Sequence, residues 1–140
     1  MPDPRPARGL ADTSVVIDVE RFDPLQLPDE LAVSVVTLAE LAAGPHATSD
    51  PAERARRQDR LQRAEATLDP LPLDVSVARA YGRVYAAVIA AGRRPRGRRA
   101  FDLLIAATAL ANGLPLYTRN ADDFAELAGL LDLVAVELAQ

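Results

Sequence analysis

Short apolar segments rich in β-branched residues alternate with helix-length segments along this chain, and that alternation leaves few architectures open. "LAVSVV" runs directly into "TLAELAAG", and "FDLLIAATALANG" runs into "LPLYT". A strand that reads as an unbroken apolar run is buried on both faces, which is the habit of parallel sheets covered by crossover helices. The order read along the chain is strand, helix, strand, helix, helix, a short edge strand, helix, helix, strand, helix, strand. The expected fold class is therefore α/β: a single α/β/α domain with a short, mostly parallel central sheet flanked by helices. The 140 residues suit one domain, and 49% hydrophobic content is enough to build its core. The proline-rich start "MPDPRPA" reads as a flexible tail over residues 1–8, leaving residues 9–140 as the domain.

Local signals place the elements. Residues 9–12 read as the first strand and residues 14–20 as a helix. Residues 33–36 are a β-branched run. From Thr37 the pattern turns helical, with Thr37 as N-cap and Glu40 at N3, the spacing of a capping box. Asp50, Pro51 and Glu53 form a second helix start, with the proline at the first helical position. Val77, Tyr81, Val84, Tyr85 and Val88 fall on one helical face, read as core or dimer contact, and Gly92 stops that helix. Residues 100–112 form an apolar helix with Asp102 near its opening. "LPLYT", "ADDFAELAG" and "LDLVAVEL" follow as strand, helix and strand.

Absences narrow the chemistry. No cysteine is present, which removes disulfides, thiolate nucleophiles and Cys-based zinc sites. His46 is the one histidine and reads as a loop residue, so a His base or a multi-His metal site has little to draw on. All sixteen basic residues are Arg, so no lysine can serve a P-loop, a Schiff base or an aspartyl-phosphate enzyme. The net charge of −4 does not advertise nucleic-acid binding. No apolar run reaches bilayer length and no signal-peptide pattern opens the chain, so the expectation is a cytoplasmic protein without membrane contact.

The acids carry the argument instead. Asp102 borders a run of Leu, Ile and Ala, and a carboxylate against a core is destabilising by several kcal/mol unless something compensates it. Open parallel sheets build their sites beyond the carboxyl ends of the strands. Asp12 ends the first strand, Glu40 lies in the helix after the second, and Asp123 follows "LPLYT". Asp102 joins them if its helix begins at that edge. Four carboxylates in one pocket raise each other's pKa values, and a hard divalent cation removes the conflict. Mg²⁺ and Mn²⁺ favour oxygen ligands and keep several waters, and such an ion activates a water for phosphodiester cleavage.

These residues resemble a known family, the PIN domain, and within it the VapC-type toxin ribonucleases of bacterial toxin–antitoxin pairs. "LADTSVVID" resembles the opening strand with its Asp-Thr-(Asn/Ser) motif, and "SVVTLAELAAG" the second strand with its glutamate helix. "FDLLIAATALANGLPLYTRNADDF" resembles the third acidic helix, the next strand and the closing Thr-Arg-Asn-x-x-Asp-Phe motif. The match runs over about residues 9 to 137 in order. The resemblance implies that Asp12, Glu40, Asp102 and Asp123 are the catalytic, metal-binding quartet. It implies support from Thr118 and Asn120 of the closing motif, and from Ser14, which stands where many members carry Asn. It further implies a Mg²⁺- or Mn²⁺-dependent endoribonuclease cutting tRNA or ribosomal RNA loops to 5′-phosphate and 3′-hydroxyl ends. The implied partners are a second copy of the chain and a small VapB-like antitoxin that plugs the acidic pocket.

"RRPRGRR" reads either as a solvated loop or as a phosphate-contacting segment formed by Arg93, Arg94, Arg96, Arg98 and Arg99. Aromatics are few, which disfavours base-stacking platforms. Two other functions compete with the toxin: a PIN nuclease of RNA processing, and a non-catalytic PIN module that only holds RNA or a partner. The presence of all four acids argues against the second.

Overall fold

The computed structural model describes residues 7–138, with five strands in one sheet of order β3-β2-β1-β4-β5. The strands are β1 (Arg8–Ala11), β2 (Glu30–Ser34), β3 (Asp69–Leu71), β4 (Leu116–Thr118) and β5 (Leu133–Ala135). Every pairing is parallel, so the sheet is parallel throughout. The helices are α1 (Thr13–Ile17), α2 (Val35–Ala43), α3 (Pro51–Thr67), α4 (Val75–Ala90) and α5 (Arg98–Ala111). A 3-10 segment, Ala121–Leu127, joins β4 to β5. β1 opens at Arg8, whose guanidinium pairs with Asp69 across the sheet at 3.1 Å, so the first strand takes in a residue that composition assigns to the tail. Residues 1–6 of that tail, and residues 139–140, lie outside the described residues.

Alternation along each strand supplies a core on each face of the sheet. Leu10, Ala32 and Leu116 face one side and pack with Val77, Val84 and Val88 of α4 and with Leu103 and Ala106 of α5. Ala11, Val33 and Tyr117 face the other and pack with Val15, Leu41 and Ala64 of α1, α2 and α3. The three-layer α/β/α arrangement follows. β1 runs close under Tyr117: a Cβ at Gly9 would stand 2.3 Å from that ring, so only glycine fits there.

Three local expectations need correction or narrowing. The N-cap of α2 is Ser34, whose Oγ accepts from the Val36 N–H at 3.0 Å, and not Thr37. β2 ends two residues earlier than its β-branched run, because Ser34 supplies the cap and Val35 and Val36 then continue as helix. Glu40 consequently sits well inside α2, beyond the N3 position of a capping box. Tyr85 is 42% exposed, so of the two readings of that helical face, core or dimer contact, it does not take the core one that Val77, Val84 and Val88 do. Finally, α5 starts at Arg98 after Gly97, a residue with φ +54°, so Asp102 lies past the first turn. A carboxylate at that depth gains nothing from capping or from the helix N-terminal dipole.

Candidate active site

The carboxyl ends of β1, β2 and β4 lie side by side in the middle of the sheet, and each hands the chain to a segment that bears an acid. Asp12 directly follows β1 and is 4% exposed. Its Oδ1 accepts from the Val15 N–H at 3.1 Å, which caps α1, and from the Ser14 hydroxyl at 2.6 Å. The Thr118 hydroxyl, at the end of β4, hydrogen-bonds the same carboxyl. Burial nonetheless dominates and raises the Asp12 pKa, against those hydrogen bonds, which lower it.

Glu40 reaches the same edge from α2. The Thr13 hydroxyl donates to Glu40 Oε1 at 2.7 Å and stands 3.0 Å from the Thr37 hydroxyl. The Thr13 hydroxyl has one hydrogen, so donating it to Glu40 leaves Thr13 to accept from the Thr37 hydroxyl. Thr37, read from the sequence as a cap, is thus a buried member of this chain of hydroxyls. Glu40 and Thr13 line a surface cleft of about 520 Å³ with Phe101, an exposed aromatic next to Asp102.

Asp102 shows what unites these residues. Its carboxyl is pushed up to about 6 from an ordinary value near 3.8. Burial is the largest cause, followed by the charges of Asp12 and Glu40; Arg99 opposes the shift, and Asp123 adds to it. The charges of all three other predicted acids therefore reach Asp102, with Asp123, exposed after β4, contributing least. Three mutually close carboxylates, a ready-made cage for one ion, do not occur among the described residues. The four acids share a field rather than a closed chelate.

The supporting residues divide. Ser14 donates to Asp12 and accepts from the Arg119 N–H at 3.2 Å, which ties β4's exit to the first acid. The Arg119 side chain closes the same junction by pairing with Asp18 at 2.6 Å. Thr118 Oγ1 accepts from the Asn120 N–H at 3.0 Å. The Asn120 side chain makes no capping hydrogen bond and is exposed. Thr13 and Thr37 have clear places in the site that sequence reasoning missed. Thr13 was legible only as the residue after Asp12 in "ADTS", and Thr37 pointed towards a cap.

The arginine segment does not behave as one unit. Arg94 and Arg96 are exposed, and Arg93 is 60% exposed while lying 3.8 Å from Glu126. Arg99 turns inward: its guanidinium pairs with Glu126 and stands 5.6 Å from the centre of the Phe124 ring. That burial takes Arg99 out of a solvent-facing phosphate surface. The side chain of Arg98 lies outside the described residues.

The donor set fits a hard divalent cation. The acids that act on Asp102 are carboxylates, with no imidazole or thiolate beside them, and that is the donor chemistry such an ion favours; Asp102 bears a burden of like charge that a cation would relieve.

Comparison with known proteins identifies the family and the fold. The PIN domain family matches residues 10–130. Ribonuclease VapC5 of Mycobacterium tuberculosis is 41% identical over 127 residues, covering 89% of this chain and 90% of that protein. Ribonuclease VapC4 of the same organism is 41% identical over 118 residues, covering 82% and 88%. In three dimensions the chain resembles the crystal structure of the VapBC-5 toxin–antitoxin system of M. tuberculosis, with a TM-score of 0.82 and 39% identity over 94% of this chain and all of that one. The VapBC-1 structure from nontypeable Haemophilus influenzae, at 23% identity and a TM-score of 0.68 over 89% and 95% of the two chains, shares the fold. The chain belongs to the PIN domain family, and within it to the VapC ribonucleases.

Proposed function

We propose that this chain is the toxin of a type II toxin–antitoxin module, an endoribonuclease that depends on Mg²⁺ or Mn²⁺ and cuts structured RNA in tRNA or ribosomal RNA loops. The observation that carries the reading is the meeting of acids at the carboxyl edge of the sheet: Asp12 after β1, Glu40 of α2 held by Thr13 of α1, and Asp102 of α5 close enough to feel the charge of both. Asp12, Glu40, Asp102 and Asp123 would hold the metal. A divalent ion held there supplies charge stabilisation to the phosphoryl oxygens and a water acidic enough to attack phosphorus near neutral pH.

The chain's own residues do the positioning. Ser14 and Thr118 fix one face of the Asp12 carboxyl, and Thr13 fixes one oxygen of Glu40. No histidine takes part, since His46 sits exposed in a 3-10 turn after α2. The exposed Arg93, Arg94 and Arg96 beside α5 supply the cationic contact for the RNA backbone that the net charge of −4 does not.

The same reading assigns a VapB-like antitoxin as the protein partner, in keeping with the toxin–antitoxin complexes among the similar structures. It assigns a second copy of this chain to the outer face of α4, where Tyr85 and Ile89 are exposed. Among the described residues no helix is long and apolar enough to cross a membrane.

The test is cleavage of total bacterial RNA by the purified, partner-free chain, with Mn²⁺ or Mg²⁺, with EDTA, and with Asp102→Asn. Discrete metal-dependent fragments that vanish in the variant support the proposal, and their ends name the cut site. Intact RNA with metal bound shifts the function to RNA or partner binding. Cleavage that survives Asp102→Asn places the chemistry elsewhere.

A further inference from the structure

Two of the four acids lie on segments that the backbone leaves independent. Asp102 is on α5, and Asp123 is on the 3-10 segment Ala121–Leu127, with β4 between them. Each acid has an ionic residue three positions away: Arg99 before Asp102 and Glu126 after Asp123. Those two residues meet. The Arg99 guanidinium pairs with Glu126, whose side chain is 5% exposed while that of Arg99 is 19% exposed. Arg99 also lies against the ring of Phe124, itself buried and adjacent to Asp123. Arg93, at the exit of α4, approaches the other Glu126 oxygen at 3.8 Å.

We infer that the Arg99–Glu126 pair is a brace for the active site: it sets the placement of Asp102 relative to Asp123, and both residues are positioning residues for metal binding. The inference rests on the metal-site reading above. Three features support it. The pair is the ionic link between the two acid-bearing segments among the described residues. It is mostly withdrawn from water, so it is screened little. A guanidinium held at once by a carboxylate and an aromatic face has a fixed plane, which a lysine could not reproduce. The brace also separates two roles within "RRPRGRR": Arg94 and Arg96 face solvent, while Arg99 orders the acids.

Electrostatics alone makes the opposite prediction, which gives the test its sign. Arg99 is a cation close to Asp102 and opposes its negative field. If the guanidinium acted only through charge, Arg99→Met would tighten binding of a divalent cation. If it positions the acids, the same change weakens binding. A single change also strands Glu126, so the charge-neutral pair Arg99→Met with Glu126→Leu is compared beside it; apolar replacement of a whole buried pair is commonly tolerated by the fold.

The experiment titrates Mn²⁺ into the full-length, metal-free chain and into both variants, following free Mn²⁺ by its paramagnetic resonance signal, with melting temperature as the control for folding. We expect the double variant to melt close to the wild type and to bind Mn²⁺ at least tenfold more weakly. RNA cleavage should need correspondingly more metal and recover much of its rate at saturation. Unchanged Mn²⁺ affinity in a folded double variant, or tighter binding in Arg99→Met, overturns the brace and leaves a structural ion pair. Failure of the underlying metal-site reading shows in the wild-type chain itself, which would then bind no Mn²⁺, and the brace falls with it. Failure of the brace alone shows only in the variants.

Discussion

The Thr13 hydroxyl donates to Glu40 Oε1 at 2.7 Å, joining the first residue of α1 to the middle of α2 across the ends of β1 and β2. Thr13 is placed there by its neighbour: Asp12 caps α1 and so fixes where the next side chain points. One acid therefore positions the hydroxyl that orients a second. Thr13→Val keeps the shape and removes the donor. We expect it to lower stability by about 1 kcal/mol, the usual net worth of one such hydrogen bond, and to raise the Mn²⁺ concentration needed for half-maximal cleavage several-fold. Denaturant unfolding and a metal titration of RNA cleavage check the two halves, and an unchanged metal titration would leave Thr13 with a packing role only.

Asp102 should make the metal-free protein less stable as pH rises. Its folded pKa, about 6, lies above its ordinary 3.8. The folded state then holds a proton that the unfolded state has lost, so the favourable contribution is complete below pH 4 and disappears as pH climbs through 6. Asp102→Asn removes that dependence. At pH 7.5 without metal the variant should be more stable, by ~1–2 kcal/mol once solvent screening of a half-buried group discounts the full shift. Urea unfolding at pH 4.5, 6 and 7.5 measures it. A variant less stable than wild type at pH 7.5 would make Asp102 a structural residue.

Metal should reverse that penalty. With Mn²⁺ at ten times its dissociation constant, binding to the folded state adds about 1.4 kcal/mol, which raises the melting temperature of a domain this size by about 3–6 °C. EDTA should abolish the rise. The effect should grow between pH 5 and 7, because Asp102 must lose its proton to become a ligand. Scanning calorimetry at several pH values reads both, and a pH-independent shift would mean that Asp102 is not among the ligands.

The arginine segment should split into two classes. Arg94→Ala with Arg96→Ala removes exposed cations, so RNA affinity should fall. The slope of log affinity against log salt should flatten by about 0.7 for each single-strand phosphate that the protein ceases to neutralise. The fold should be untouched. Arg99→Ala should instead lower the melting temperature, because it strands the buried Glu126 carboxylate. Binding of labelled RNA across a salt series, beside thermal melts, separates the two, and an unchanged slope in the first variant returns Arg94 and Arg96 to a solvated loop.

Much of this molecule is determined by its sequence alone. The alternation of apolar strands with amphipathic helices dictates a parallel α/β sheet, because buried strands must be covered on both faces and parallel neighbours need crossovers. Asp12, Glu40 and Asp123 follow strands in the chain, so sheet geometry carries them to one edge. Asp50 with Pro51, and Gly92 with φ +78°, mark helix ends through purely local chemistry. What depends on contacts between distant segments is not legible in this way. Ser34 rather than Thr37 caps α2 because the sheet ends there, which local β-branched preference does not register. Thr37 is free for the hydroxyl chain only because α1 arrives beside it. The shift on Asp102 exists only where α5 brings it to Asp12 and Glu40. Arg99 looks like its neighbours in "RRPRGRR", yet a partner 27 residues away turns it inward. Local preference is written along the chain, whereas desolvation and charge coupling arise only when the fold brings separate segments together.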